Sequence, residues 1–210
     1  MKACYESAAA RLLALAAVVL LLPAIAAAMD RLDFGVSPDM AYDLSVATSD
    51  ARSVIVAWSA EWEPRAVRYR AMSGQQWAGE PVELGEGDHP RVLADQAGRF
   101  RLVYAAGSSI AYWHGVPGEM QGPEFLSASG HAVEGAPSLC MAPDGTLFLA
   151  WKQGDSVWWT CDAPPYSGWS LPCQELALDV SGLQILPRLV EGVWRPRAYY
   201  LTAGMALAWR

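Results

Sequence analysis

The sequence predicts an all-β repeat protein. A hairpin signature recurs every 46 to 50 residues, and its apolar runs are short and lack the 3.6-residue spacing of a helix. Glycine and proline together supply 32 of the 210 residues, which places turns throughout the chain.

The first segment is read as a targeting signal. Lys2 and Arg11 precede the run LLALAAVVLLLPAIAAA at residues 12–28, with Pro23 near its end and small residues at Ala26 and Ala28. This is the layout of a secretory signal peptide, so cleavage after Ala28 and an exported, periplasmic or extracellular, protein are expected. The competing reading is an uncleaved anchor, but the run is at the short end of the ~17–25 residues a span needs. No later stretch is long and apolar enough to cross a bilayer, so no stable membrane span is expected after cleavage.

Residues 29–210 then form one domain of a size that suits a single all-β core. Lys2, Arg11 and Glu6 belong to the signal, so this domain carries 13 basic and 21 acidic side chains against 15 and 22 in the whole chain, a formal charge of −8. Nucleic-acid binding needs a basic stripe that this balance does not supply, and the same count disfavours an anionic membrane surface. Three cysteines remain. Cys161 and Cys173 bracket the loop DAPPYSGWSLP and are the expected disulfide. Cys140 lies in an apolar run and reads as a buried free thiol. His89, His114 and His131 are too scattered for a zinc site, and nothing in the sequence calls for a cofactor.

The hairpins follow in order. DLSVATSDARSVIVAW at 43–58, HPRVLADQAGRFRLVY at 89–104, APSLCMAPDGTLFLAW at 136–151 and the looser LPRLVEGVWRPRAYYL at 186–201 share an apolar run, a turn and a second apolar run. In the third, Asp144 and Gly145 read as turn chemistry. Each hairpin is followed by an aromatic-rich third strand: AVRYR at 66–70, SIAYW at 109–113, SVWW at 156–159 and MALAW at 205–209. Three copies add a fourth segment, GEPVEL, GPEFLS or LPCQELAL. Four short strands per period of under 50 residues predict a β-propeller of about four four-stranded antiparallel blades, near 43–88, 89–135, 136–185 and 186–210.

Strands such as VIVAW and LFLAW are apolar at both alternating sets, as expected where blades cover both faces of each sheet. Arg101 breaks that pattern and is expected in a polar contact between blades. The fourth copy ends in its third strand. RLDFGV at 31–36 has strand character and can complete it, closing the ring; the rival is a partial propeller that needs further blades or an oligomer.

The repeat resembles the BNR or sialidase-like superfamily over most of residues 43–210. Ser73, Gly74 and Trp77, and the shorter Ser167, Gly168 and Trp169, are its nearest Asp-box matches, though both lack the aspartate and threonine. The resemblance implies blades more than an activity. A sialidase would need an arginine cluster for a carboxylate, a tyrosine–glutamate pair and an acid aspartate. Arg91 and Arg188 each follow a proline that opens an innermost strand, and are candidates for an anion in the channel; pairing with acids such as Asp88 or Glu191 is the alternative. No tyrosine–glutamate pair can be assigned by spacing.

Tryptophan gives the other lead. Trp58, Trp77, Trp151 and Trp169 suit blade packing, whereas Trp113, Trp159 and Trp209 end third strands where an indole can stack on a sugar ring. Trp62 and Trp194 lie in turns outside the repeat. Lectin propellers combine aromatics with arginine and acid side chains in pockets between blades. The reading preferred here is therefore an exported, non-catalytic propeller that binds a glycan, peptide or protein on one rim, with Arg91, Arg188, Trp113, Trp159, Trp62 and Trp194 as candidate ligand residues. A degenerate or truncated sialidase-like hydrolase is the alternative.

Overall fold

A computed structural model describes residues 41–49, 53–60, 65–73, 76–95, 97–176, 180–201 and 207–209. The export segment at 1–28, the closing strand at 31–36 and Trp62 lie outside them. Among the described residues there is no helix, and the strands form four antiparallel sheets, each in chain order. This is the all-β propeller architecture that the sequence predicts.

Sheet one holds β1 (Ala41–Thr48), β2 (Ser53–Ala60) and β3 (Ala66–Ser73), and its fourth position is split. There β4 (Gln76–Trp77) pairs one end of β3 and β5 (Val82–Glu86) the other. Sheet two runs β6 (Asp88–Ala94), β7 (Phe100–Ala106), β8 (Ser109–Gly115) and β9 (Gln121–Leu126). Sheet three runs β10 (Val133–Met141), β11 (Leu147–Gln153), β12 (Ser156–Asp162) and β13 (Cys173–Leu176). Sheet four has β14 (Ser181–Val190), β15 (Val193–Leu201) and β16 (Leu207–Trp209).

The first strands stack consecutively, β1 on β6, β6 on β10 and β10 on β14. Each seam between sheets is an apolar layer taken from the same two faces. Ile55, Ala57, Val67 and Tyr69 meet Phe100, Leu102 and Tyr104; Val103, Ile110 and Tyr112 meet Leu149 and Trp151; Phe148, Ala150 and Val157 meet Leu183, Ile185 and Ala198. Burying one such large side chain contributes about 1.5–3 kcal/mol, so the seams carry most of the stability.

Strand register gives the repeat a common frame. Ser45 opposes Ala57, Arg91 opposes Val103, Ser138 opposes Ala150 and Gln184 opposes Tyr199, each just past an irregularity in the first strand. Two pairs on, Ile55, Arg101, Phe148 and Arg197 therefore share one position. In this frame the partner of Arg91 in sheet four is Gln184. The expected equivalence of Arg91 and Arg188 does not hold, because the fourth hairpin differs in length. Five residues separate the last opposed pair in the first three hairpins, for example Met141 and Leu147. In sheet four three further pairs follow, Arg188 with Arg195, Leu189 with Trp194 and Val190 with Val193. A two-residue turn closes them, with Glu191 at φ 51 and Gly192 at φ 80. Positive φ at both positions is the twist a two-residue hairpin turn requires.

Serines at the shared first-strand position bridge neighbouring sheets. The Val92 N–H donates to Ser45 Oγ at 3.0 Å, and the Ile185 N–H donates to Ser138 Oγ at 2.9 Å. Ile185 is buried, so Ser138→Ala strands its N–H and is expected to cost about 1–2 kcal/mol. Denaturant unfolding measures this, and a shift inside the error of the midpoint would count against a bridging role.

Candidate functional site

At the shared position where two sister sheets carry Ile55 and Phe148, sheet two carries Arg101, only 2% exposed. A buried guanidinium needs partners on every side. Its Nη1 donates to the Tyr112 hydroxyl at 3.1 Å and its Nη2 to Asp95 Oδ2 at 3.3 Å. Its plane lies 4.4 Å over the Tyr166 ring. Its Nε has no partner among the described residues. Both polar partners thus belong to sheet two, and what crosses the seam to sheet three is the contact with the Tyr166 ring, not the polar contact between blades that the sequence predicts.

Local structure holds each partner in place. Asp95 follows β6, and its Oδ1 accepts from the N–H groups of Ala97 and Arg99 at 3.0 and 2.8 Å, which aims the other oxygen at Arg101. Tyr166 stands on the loop after β12 at φ 60, and its hydroxyl donates to the Gly145 carbonyl at 2.9 Å. Gly145 has φ +89, and a Cβ there would come within 3.1 Å of that hydroxyl. The turn that Asp144 caps, by accepting from the Thr146 N–H at 2.9 Å, therefore also seats Tyr166. Thr160 Oγ1 donates to the Ser170 carbonyl at 2.7 Å and pins the far end of the loop. Trp169 of the same loop meets the Tyr112 ring edge-on at 5.0 Å.

Asp162, from the end of β12, is buried with its Oδ1 unpartnered among the described residues. Burial raises its pKa, against the lowering pull of a Gly168 N–H and the Arg101 charge. Burial also raises Glu124, which stands opposite Tyr112 in the ladder, and the Asp162 charge adds to that shift. The Tyr112 hydroxyl is pushed up to about 12, chiefly by burial. His114, stacked on Tyr112 at 5.6 Å, is lowered by burial and then by the charges of Arg101 and Arg99, which favours its neutral form. A cavity of about 350 Å³ opens beside this group, lined by Asp95, Arg101, Asp144, Gly145, Pro164 and Tyr166. The seam thus holds an unpartnered guanidinium N–H and an unpartnered carboxylate oxygen among the described residues, both buried, while Arg101, Asp144 and Tyr166 reach the cavity itself.

The residues singled out from sequence are dispersed. Arg91 is half-buried, donates to the Pro90 carbonyl at 2.7 Å, and lines a separate cavity of about 420 Å³ with Glu134, Lys152 and Gln184. Arg188 is exposed on the added rungs of the fourth hairpin. Trp113 packs against the seam between sheets one and two. In register, Tyr112 rather than Trp113 is the equivalent of Trp159 and Trp209. Trp159 and Trp194 do come together, lining a cavity of about 350 Å³ between sheets three and four with Phe148, Cys161 and Arg195. Asp162 and Tyr166 went unnoticed because each is unremarkable in sequence; Arg101 alone announced itself, as a charge inside an apolar strand.

The expected disulfide is absent, since Cys161 and Cys173 are both free thiols. The reason is register. Cys173 lies opposite Trp159, so Cys161 is its diagonal neighbour, and diagonal positions stand ~7–8 Å apart, beyond disulfide reach. Cys140 is also free; it is half-buried rather than fully buried, and desolvation pushes its thiol up to about 12, as suits an inert cysteine.

No family model and no curated protein matches the chain. Solved structures do match its fold. The SapL1 lectin in complex with α-methyl fucoside aligns at 13% identity and TM-score 0.54, over 80% of this chain and 62% of that one. The Aleuria aurantia lectin in complex with Fucα1-6GlcNAc aligns at 16% and 0.53, over 75% and 52%, and is described as a six-bladed β-propeller. The α-L-arabinofuranosidase PaAbf62A from Podospora anserina aligns at 11% and 0.50, over 85% and 69%. The chain thus spans between about half and two thirds of the length of these proteins. At such identities the likeness is one of fold, and that fold is the β-propeller.

Proposed function

We propose that this chain is an exported, non-catalytic propeller module that binds glycans in the seam between sheets two and three. The observation that carries the reading is Arg101, a buried cation at a position that sheets one and three fill with Ile55 and Phe148, beside a buried carboxylate with an unspent oxygen. A sugar hydroxyl accepts from the guanidinium, whose charge the buried Asp162 shares, a neighbouring hydroxyl donates to Asp144 on the cavity wall, and the Tyr166 side supplies an apolar wall. The lectins of similar fold, solved with fucosides, support a glycan as the ligand class. Export rests on the Lys2–Arg11 region and the apolar run to Ala28.

A glycan array probed with the processed protein, with methyl α-fucoside as the first titrated sugar, tests the proposal. Binding that Arg101→Met abolishes is expected; a blank array would sink it. One observation favours a hydrolase as the second reading: burial holds a carboxyl of this seam, Asp162, above its ordinary value, as a general acid requires. Turnover of fluorogenic glycosides that Asp162→Asn stops would replace the first reading with the second.

The proposal fixes a pH dependence. The ionised Asp162 holds the Arg101 guanidinium toward the seam, and its pKa is raised, so binding is expected to weaken on acidification before pH reaches the free aspartate value of 3.8. Stability runs the opposite way for this group. A raised folded pKa gives a contribution that is full below the unfolded value and is lost as pH rises through the folded one. Titrating binding and unfolding of the wild type and Asp162→Asn side by side separates the two, and parallel trends would contradict the assignment.

A further inference from the structure

The β7–β8 and β11–β12 turns are built alike but covered differently. Ala106 opposes Ser109 and Gln153 opposes Ser156, so the two residues hold one position in the repeat, and Gly107, at φ 62, matches Gly154, at φ 60. Between sheets two and three that place is filled by the chain itself. The Gln153 carboxamide accepts from the Ala128 and Ser129 N–H groups and donates to the Ser108, Ser129 and His131 carbonyls, while the His131 ring covers Gly154, 3.3 Å from where a Cβ would stand. Between sheets one and two the same place is open. An alanine side chain carries no amide, and among the described residues no atom beyond the chain neighbours of Gly107 lies within 4 Å of the place a Cβ would take. A single residue, Gly87, joins β5 to β6, where residues 127–132 join β9 to β10. The result is a cavity of about 640 Å³, within the ~300–1,000 Å³ range of small-ligand sites.

The walls of this cavity fit a particular chemistry. Gly85, Gly87 and Gly107 can line it only with main chain, and Tyr104 keeps the first two free of side chains: a Cβ on Gly87 would meet its ring at 2.5 Å, and one on Gly85 its hydroxyl at 3.2 Å. That hydroxyl donates to the Leu84 carbonyl at 3.3 Å, whereas Trp151, the counterpart of Tyr104 in sheet three, donates to Gln153. Peptide groups thus border the space that a carboxamide occupies in the sister seam. Phe125, 62% exposed, and Pro123 on the same side of β9 supply an apolar face, and Glu86 and the ion pair of Arg65 with Asp88, at 3.1 Å, supply a charged one. We propose that this cavity binds an N-acetylhexosamine, its ring against Phe125, its acetamido group in the place that the Gln153 carboxamide takes between sheets two and three, and its hydroxyls on the charged side. The charged side decides between a sugar and an aromatic side chain of a peptide. An aromatic ring would set an apolar edge against three charged groups, whereas a sugar meets them with hydroxyls. The site is separate from the Arg101 seam and does not depend on it.

Titration calorimetry tests this with methyl N-acetyl-β-glucosaminide, with methyl β-glucoside as the sugar that lacks the amide, and with N-acetylphenylalanine amide as a peptide mimic. The acetamido sugar is expected to bind about tenfold or more tightly than the glucoside, as one well-placed amide hydrogen bond implies, and ahead of the peptide mimic. Ala106→Gln supplies from the protein the group that Gln153 supplies in sheet three, so it is expected to abolish binding while the melting temperature holds or rises. Phe125→Ser, at an exposed position, is expected to weaken binding about tenfold and leave the melting temperature unchanged. Arg101→Met combined with Asp95→Asn is expected to leave this binding intact, which separates a failure here from a failure of the seam between sheets two and three. No binding of the acetamido sugar, equal binding of the glucoside, binding that survives Ala106→Gln, or a melting temperature that falls in that variant would overturn the proposal. So would a preference for the peptide mimic, which would give the cavity to a peptide segment.

Discussion

Replacing Gln153 with leucine is expected to destabilise the protein by about 3–5 kcal/mol, although the volume is nearly conserved. Gln153 is 2% exposed, and six hydrogen bonds converge on its amide. Its Oε1 accepts from the Trp151 indole at 3.2 Å and from the N–H groups of Ala128 and Ser129 at 3.4 and 3.2 Å. Its Nε2 donates to the carbonyls of Ser108, Ser129 and His131 at 2.8, 2.9 and 2.6 Å. One side chain of sheet three thereby ties down the β7–β8 turn and the connection that leads out of sheet two. Leucine removes all six bonds at once, and the Ser108 and Ser129 carbonyls then keep only the Ser127 hydroxyl. Equilibrium unfolding in urea measures the cost, and a loss under about 1 kcal/mol would mean that water or a rearranged connection takes over.

Arg101 gives the second large effect, and here stability and binding are expected to part. Arg101→Ala leaves the Asp95 carboxylate, with a side chain only 10% exposed, without its cation, which is expected to cost about 3–5 kcal/mol. The double variant Arg101→Met with Asp95→Asn removes both charges and supplies an apolar side chain at a position where Ile55 and Phe148 already serve. It is expected to recover much of that loss, since replacing a buried pair with apolar volume is often neutral. Glycan binding is expected to be lost in both. Recovery of binding in the double variant would show that the guanidinium serves packing alone.

These expectations differ in how far the sequence alone could supply them. The propeller was legible because seams need both faces of each strand apolar, and VIVAW and LFLAW state that directly. Arg101 was legible for the same reason, as the one charge within such a strand. Its partners were not. Asp162 becomes significant only when the β11–β12 ladder sets it opposite Leu147 and turns it toward sheet two, and Tyr166 only when the loop after β12 folds back over Gly145. Arg188 was misplaced for a definable cause. Pro187 resembles Pro90 and Pro137 in sequence, but three added rungs shift the ladder, and hairpin length leaves no mark that spacing can read. The cysteine pair failed similarly, since loop length places two thiols near one another but strand register decides whether they face.

The register frame has a consequence for how such a chain can be copied. Ser45, Arg91, Ser138 and Gln184 alternate from sheet to sheet between a bridging hydroxyl and a longer polar side chain. Ile55, Arg101, Phe148 and Arg197 alternate in step with them, apolar then cationic. The two serines are 93 residues apart, so the smallest segment that reproduces both kinds of seam is a pair of sheets. A chimera that duplicates sheets two and three is expected to keep each copy of Arg101 facing the Tyr166 loop. Duplicating sheet two alone would set its Arg101 face against a copy of its own Phe100 side, where neither Asp162 nor Tyr166 waits to receive it.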